Sequence, residues 1–212
     1  MATIEAVDFF YLRMPVVEAI ADNSQDSLLV RVASGGDVGW GECDAAPLVS
    51  IASFIAPMSH GICQPVGTSV LGQRLDDVAD IARINREVRA NSLDLLQTSH
   101  TLAGIDMALW DLLGRRRGEP VWRLLGHDQS TRKTPYASQL FGDEPQETRA
   151  KGKAQREAGF RAVKFGWGPY GQGDASTDAA HIAAAREGLG EDGILLVDAG
   201  TVWVDDVEAA AT

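Results

Sequence analysis

Residues Arg161 to Asp174 read RAVKFGWGPYGQGD and carry G-x-G-x-x-G at Gly166, Gly168 and Gly171, directly after a strand-like run. Two folds use such a loop differently. In a Rossmann-type NAD-binding unit the helix starts inside the motif, so that its N-terminus meets the pyrophosphate. Here Pro169 is followed by Gly171 and Gly173, and the first good helix caps are Asp174 and Ser176, ahead of an alanine-rich run. The helix is therefore expected to begin beyond the motif, which argues for an open loop at the end of a strand. An NAD-binding oxidoreductase is the rival reading, and the start of that helix decides between them.

Around this loop the elements alternate. After Gly126 come TPYASQL, a helix from Pro145, RAVKFGW, a helix from Ser176, GILLVDAG and a helix beginning near Asp205, a βαβαβα series of parallel-strand units. Upstream, Ala2 to Leu12, Ser27 to Ala33 and Asp37 to Glu42 are rich in β-branched and aromatic residues, and Ser34-Gly35-Gly36 joins the last two as a hairpin. PVVEAIADNSQD, between the first two, is too long and polar for a tight turn and reads as an excursion loop able to act as a lid. Asp76 to Ala90 and Thr98 to Arg117 read as helices, the second apolar nearly all round and so buried on most sides. The boundary falls near residue 130, with an α+β domain over 1–130 and parallel-strand units over 131–212.

The chain has 212 residues, 45% of them hydrophobic, enough apolar material for two modest cores. Lys and Arg total 19 against 30 Asp and Glu, and the net charge of −11 repels phosphate backbones and anionic membrane surfaces. Neither nucleic acid nor membrane is an expected partner. Cys43 and Cys63 are too few for a disulfide framework. The opening MATIEAVDFFYLRMP lacks the basic region of a signal peptide, so a cytoplasmic protein is expected.

For 131–212 a doubly wound open sheet and the start of a (β/α)8 barrel compete. Side chains alternate along a strand, so Ala162, Lys164 and Gly166 share one face and Val163 and Phe165 the other, while Ile194, Leu196 and Asp198 share a face. If Lys164 and Asp198 point into a barrel, an amine and a carboxylate meet at the carboxyl ends of adjacent strands, where barrel active sites are built.

Four stretches resemble the mandelate racemase and muconate lactonising group of the enolase superfamily. They are GWGEC at Gly39 to Cys43, LAGIDMALWDLLGRRRGEPVWRLLG at Leu102 to Gly126, AVKFG at Ala162 to Gly166 and LLVDAGTVW at Leu195 to Trp203. The resemblance implies an α+β capping domain over residues 1–130 followed by a (β/α)8 barrel, of which 131–212 supply about the first three βα units. It implies an enzyme that removes a proton alpha to a carboxylate while Mg²⁺ holds the resulting enediolate, acting on a small carboxylate substrate. A side-chain base is too weak for such a proton unless cations meet the developing charge.

By the same resemblance Asp198 is the first metal ligand, and Lys164 is the first lysine of a K-x-K signature, a contact for the substrate carboxylate. Gly166 stands where the second lysine, one of the two bases of a racemase, is found. The missing base points to dehydration of a sugar acid or related hydroxy acid, with a racemase or cycloisomerase of the same superfamily as the alternative. Gly166 is expected to leave room for substrate; Trp167 and Tyr170 either line that space or pack the loop down. A homo-oligomer is compatible with this reading.

A full barrel starting near residue 133 needs about 250 residues. The resemblance places the other metal carboxylates and the catalytic histidine on later strands, so the 212-residue chain alone is expected to be inactive, and a non-catalytic fragment is a third reading. His60, His100, His127 and His181 lack metal-ligand spacing and read as surface or capping histidines. Asp106 and Asp111 do not share a helix face and read as satisfied packing carboxylates. Asp205 to Glu208 suits the first turn of a helix.

Overall fold

In the strand Ser27–Ser34 every second residue, Leu28, Val30, Val32 and Ser34, is buried, the period-two signature of a sheet with one face on a core. The computed structural model describes residues 1–18, 25–43 and 46–211. The chain divides into two compact units, Met1–Ser130 and Thr131–Thr212.

In the first unit β1 (Ile4–Leu12), β2 (Ser27–Ser34) and β3 (Asp37–Cys43) form an antiparallel meander in the order β1-β2-β3. Residues 19–24 of the predicted excursion loop lie outside the described residues. Asp26 ties its base, accepting from Met14 N at 2.8 Å and from the Tyr11 hydroxyl. The helices are α1 (Pro47–Ile55), α2 (Val78–Asn91), α3 (Thr98–Arg117) and α4 (Val121–Leu124).

Helix α3 buries Leu102, Ile105, Ala108, Leu109, Leu112 and Leu113, in one core with Leu28, Val30 and Val32 of β2. Its backbone lies directly against β3. A side chain at Gly41 would collide with the Gly104 carbonyl and one at Gly39 with the Ala108 carbonyl, which explains the two glycines of GWGEC. Arg116 locks the far end of α3, donating to Asp37 (2.7 Å), the Leu75 carbonyl (2.6 Å) and the Ser34 carbonyl (2.7 Å). Helix α2 starts at a capping box, Asp77 accepting from Asp80 N while the Asp80 side chain accepts from Asp77 N.

The second unit is a parallel sheet in the order β4-β5-β6, built from β4 (Tyr136–Leu140), β5 (Ala162–Gly166) and β6 (Ile194–Asp198). It carries α5 (Pro145–Glu157), α6 (Ala175–Leu189) and the short α7 (Val207–Ala211). Val163 and Phe165 are buried with Ala185 and Leu189 of α6, so the opposite face of β5 carries Lys164. On that face the rows are Tyr136, Ala162 and Ile194, then Ser138, Lys164 and Leu196, then Leu140, Gly166 and Asp198.

His181 departs from the expected surface or capping role. It is 1% exposed, its Nδ1 is 2.9 Å from Thr148 Oγ1, and Phe141 stands edge-on to its ring. Thr148 Oγ1 also accepts from Gly142 N at 2.9 Å, joining α5, α6 and the turn after β4. Asp106 and Asp111 are satisfied as expected, by Asn85 (2.7 Å) and by Trp40 N (2.9 Å) with Arg115 (2.8 Å). Among the described residues no helix is long and apolar enough to cross a membrane.

Candidate active site at the strand carboxyl ends

Lys164 and Asp198 meet. Lys164 Nζ donates to Asp198 Oδ2 at 2.9 Å, and the two side chains are 28% and 37% exposed. The residues stand in adjacent rows on one face, and Gly166, the strand neighbour of Asp198, has no side chain to stand between them. The other carboxylate oxygen, Oδ1, accepts from Gly200 N at 3.0 Å.

These contacts settle the charges. The bond to Asp198 raises the Lys164 ammonium above its usual range, and the bond from Lys164, followed by that from Gly200, lowers the Asp198 carboxyl. Lys164 is therefore a fixed positive charge and donor at neutral pH, suited to holding an anion rather than to removing a proton. Its Nζ also lies 5.6 Å from the centroid of the Tyr136 ring. Tyr136, Ser138 and Gly200 escaped the sequence reading. For the first two the available signal was their alternate positions in YASQL; for a backbone N–H there was none.

Gly166 does not open the site as expected. A Cβ there would stand 2.9 Å from the Asp198 carbonyl oxygen and 3.0 Å from its Cβ, so Asp198 itself takes that space. The other motif glycines are likewise filled by the chain, Gly168 by Phe141 and Gly171 by Val202 and Trp203. Helix α6 starts only at Ala175, capped by Asp174, whose Oδ1 accepts from Thr177 N at 2.8 Å. No helix N-terminus meets the glycines, and the dinucleotide reading loses its footing. Tyr170 packs the loop down, stacked on Phe141 at 4.8 Å between ring centres.

Asp198 offers the hard oxygen donors Mg²⁺ prefers, and a carboxylate at the carboxyl end of a strand fits as one ligand of such an ion. Among the described residues no group of three His, Cys, Asp or Glu side chains is placed to hold a metal.

The chain belongs to the mandelate racemase / muconate lactonizing enzyme family of the enolase superfamily, matching the model of that family's N-terminal domain over residues 2–126. Curated relatives are dehydratases, an epimerase and a cycloisomerase. A cis-3-hydroxy-L-proline dehydratase of Roseibium aggregatum is 27% identical, over 94% of this chain and 53% of its own. A D-gluconate dehydratase of Thermoproteus tenax is 30% identical, over 93% of this chain and 40% of its own. The chain thus spans about half the length of the curated relatives it matches. A crystal structure from Rhodobacter sphaeroides, described as a predicted mandelate racemase, superposes with a TM-score of 0.94 at 62% identity, over 100% of this chain and 54% of that one.

Proposed function

We propose that the chain forms the capping domain and the first three βα units of a (β/α)8 barrel in a Mg²⁺-dependent enzyme. That enzyme removes a proton alpha to the carboxylate of a small acid and expels water, acting on a sugar acid or related hydroxy acid. The observation that carries this reading is the Lys164–Asp198 pair at the carboxyl ends of adjacent parallel strands. Mg²⁺, when bound, supplies positive charge where the second negative charge of the substrate develops. Asp198 would be one of its ligands. Lys164, charged and held in place, binds and orients the substrate carboxylate and stabilises the charge that grows on it.

Dehydration is favoured over racemisation by Gly166, which leaves β5 without a second base, and by the dehydratases among the relatives. The decisive experiment is Asp198→Asn in protein that shows Mg²⁺-dependent turnover. The substitution is expected to weaken Mg²⁺ binding by calorimetry and to abolish dehydration with the fold intact. Unchanged metal affinity and turnover would remove the assignment.

A further inference from the structure

The turns after β5 and β6 are packed into one another beside Asp198. Trp167, the first residue after β5, has φ +56°, a left-handed backbone that a bulky aromatic residue rarely adopts. Such strain persists only where the surroundings over-determine it, and it collects at functional sites. Its indole lies over Gly200: a Cβ built there would be 3.2–3.3 Å from three carbons of the six-membered ring. Gly200, at φ +58°, is the residue whose N–H holds Asp198 Oδ1. Nearby, Tyr170 stands edge-on to Trp203 at 5.7 Å, and Gly171 N donates to Asp178 of α6 at 2.9 Å, so the turn carrying Trp167 is anchored from below.

We infer that Trp167 is a positioning residue for Asp198. The indole confines Gly200 so that its N–H stays on Oδ1. A carboxylate gripped at one oxygen has its plane set, and Oδ2 is left facing Lys164 and the site. Partners of this kind behind a ligating carboxylate typically support metal affinity and activity by about 10- to 100-fold. The inference rests on the reading of Asp198 as a site carboxylate, and its test does not depend on turnover.

The amide-exchange rate of Gly200 is measured by NMR in the ¹⁵N-labelled chain and in three variants, with Gly39 and Gly41 as internal controls and thermal denaturation as the check on folding. Trp167→Ala and Trp167→Gly should speed Gly200 exchange several-fold, and Trp167→Phe, which keeps an aromatic ring, should restore it. Glycine adopts the left-handed turn without strain, so Trp167→Gly decides the matter where Trp167→Ala fails to fold. Unchanged exchange in Trp167→Gly, or Phe behaving like Gly, overturns the inference. Where turnover is measurable, Trp167→Gly should lower kcat about tenfold. Released Gly200 exchange beside a metal affinity indifferent to Asp198→Asn would sink the proposed function and keep the contact; the opposite pattern would do the reverse.

Discussion

Gly166 and Asp198 are paired across β5 and β6, and the space where Gly166 would carry a side chain is taken by Asp198, whose Cβ is 3.0 Å from that point. The glycine that, on the proposed reading, stands where the family signature has its second lysine is therefore also a packing requirement here. Restoring a side chain there should not restore a second base. Gly166→Lys is expected to displace Asp198, break its bond to Lys164 and cost about 1–3 kcal/mol in urea unfolding. A folded Gly166→Lys enzyme that racemises its substrate would refute this.

Lys164→Met keeps the length of the side chain and removes its charge. It should leave the fold in place and lower kcat by about 10²- to 10³-fold, the usual cost of one donor aimed at developing negative charge. Steady-state kinetics check it, and a change within twofold would mark Lys164 as structural only.

Asp80 gives the first unit a pH dependence. Burial alone would raise its carboxyl, but the N–H groups of Asp76 and Asp77 and the guanidinium groups of Arg74 and Arg83 outweigh burial and hold it at about 2. The folded state thus binds this proton less readily than the unfolded chain, where an Asp titrates near 3.8. The stabilisation is fully present above pH of about 4 and lost as the pH falls through about 2. Asp80→Asn should cost about 2 kcal/mol at pH 7 and flatten the acid limb of a plot of Tm against pH. A wild-type limb as flat as the variant's would contradict the assignment.

The two cysteines should react at very different rates. Burial pushes the Cys43 thiol up to about 11, so little thiolate exists at pH 8, whereas Cys63 is partly exposed. A thiol reagent at pH 8 is expected to modify one cysteine per native chain, at Cys63, and both in denaturant. Peptide mapping showing native modification of Cys43 would count against the packing of β3 on α3.

Local signals made much of the architecture legible. Helix α3 was readable end to end, because the apolar residues nearly all round it are a feature of the segment itself. Asp174 announced α6, since a cap needs only a partner three residues on. Alternation along β5 and β6 separated Lys164 and Asp198 from Val163 and Phe165. Helix α1 escaped notice because its cap position, Ala46, makes no side-chain bond and its first turn carries no acid.

What only the tertiary structure decided are relations between segments distant along the chain. The alanine-rich surroundings of His181 look like a solvent-facing helix; Thr148, 33 residues away, and Phe141 make that position buried. Nothing in AVKFG distinguishes a glycine that opens a pocket from one that accommodates a neighbour, because the neighbour, Asp198, arrives from the next strand. The sequence by itself determined the strand order and most of the helices, the faces of the strands and the residue types at their ends, all set by steric and hydrogen-bonding preferences within a few residues. The distances at the site, 2.9 Å from Lys164 to Asp198 and 3.0 Å from Gly200 to Asp198, exist only once parallel pairing has set the register of β5 against β6 and the turn after β6 has closed on its own aspartate.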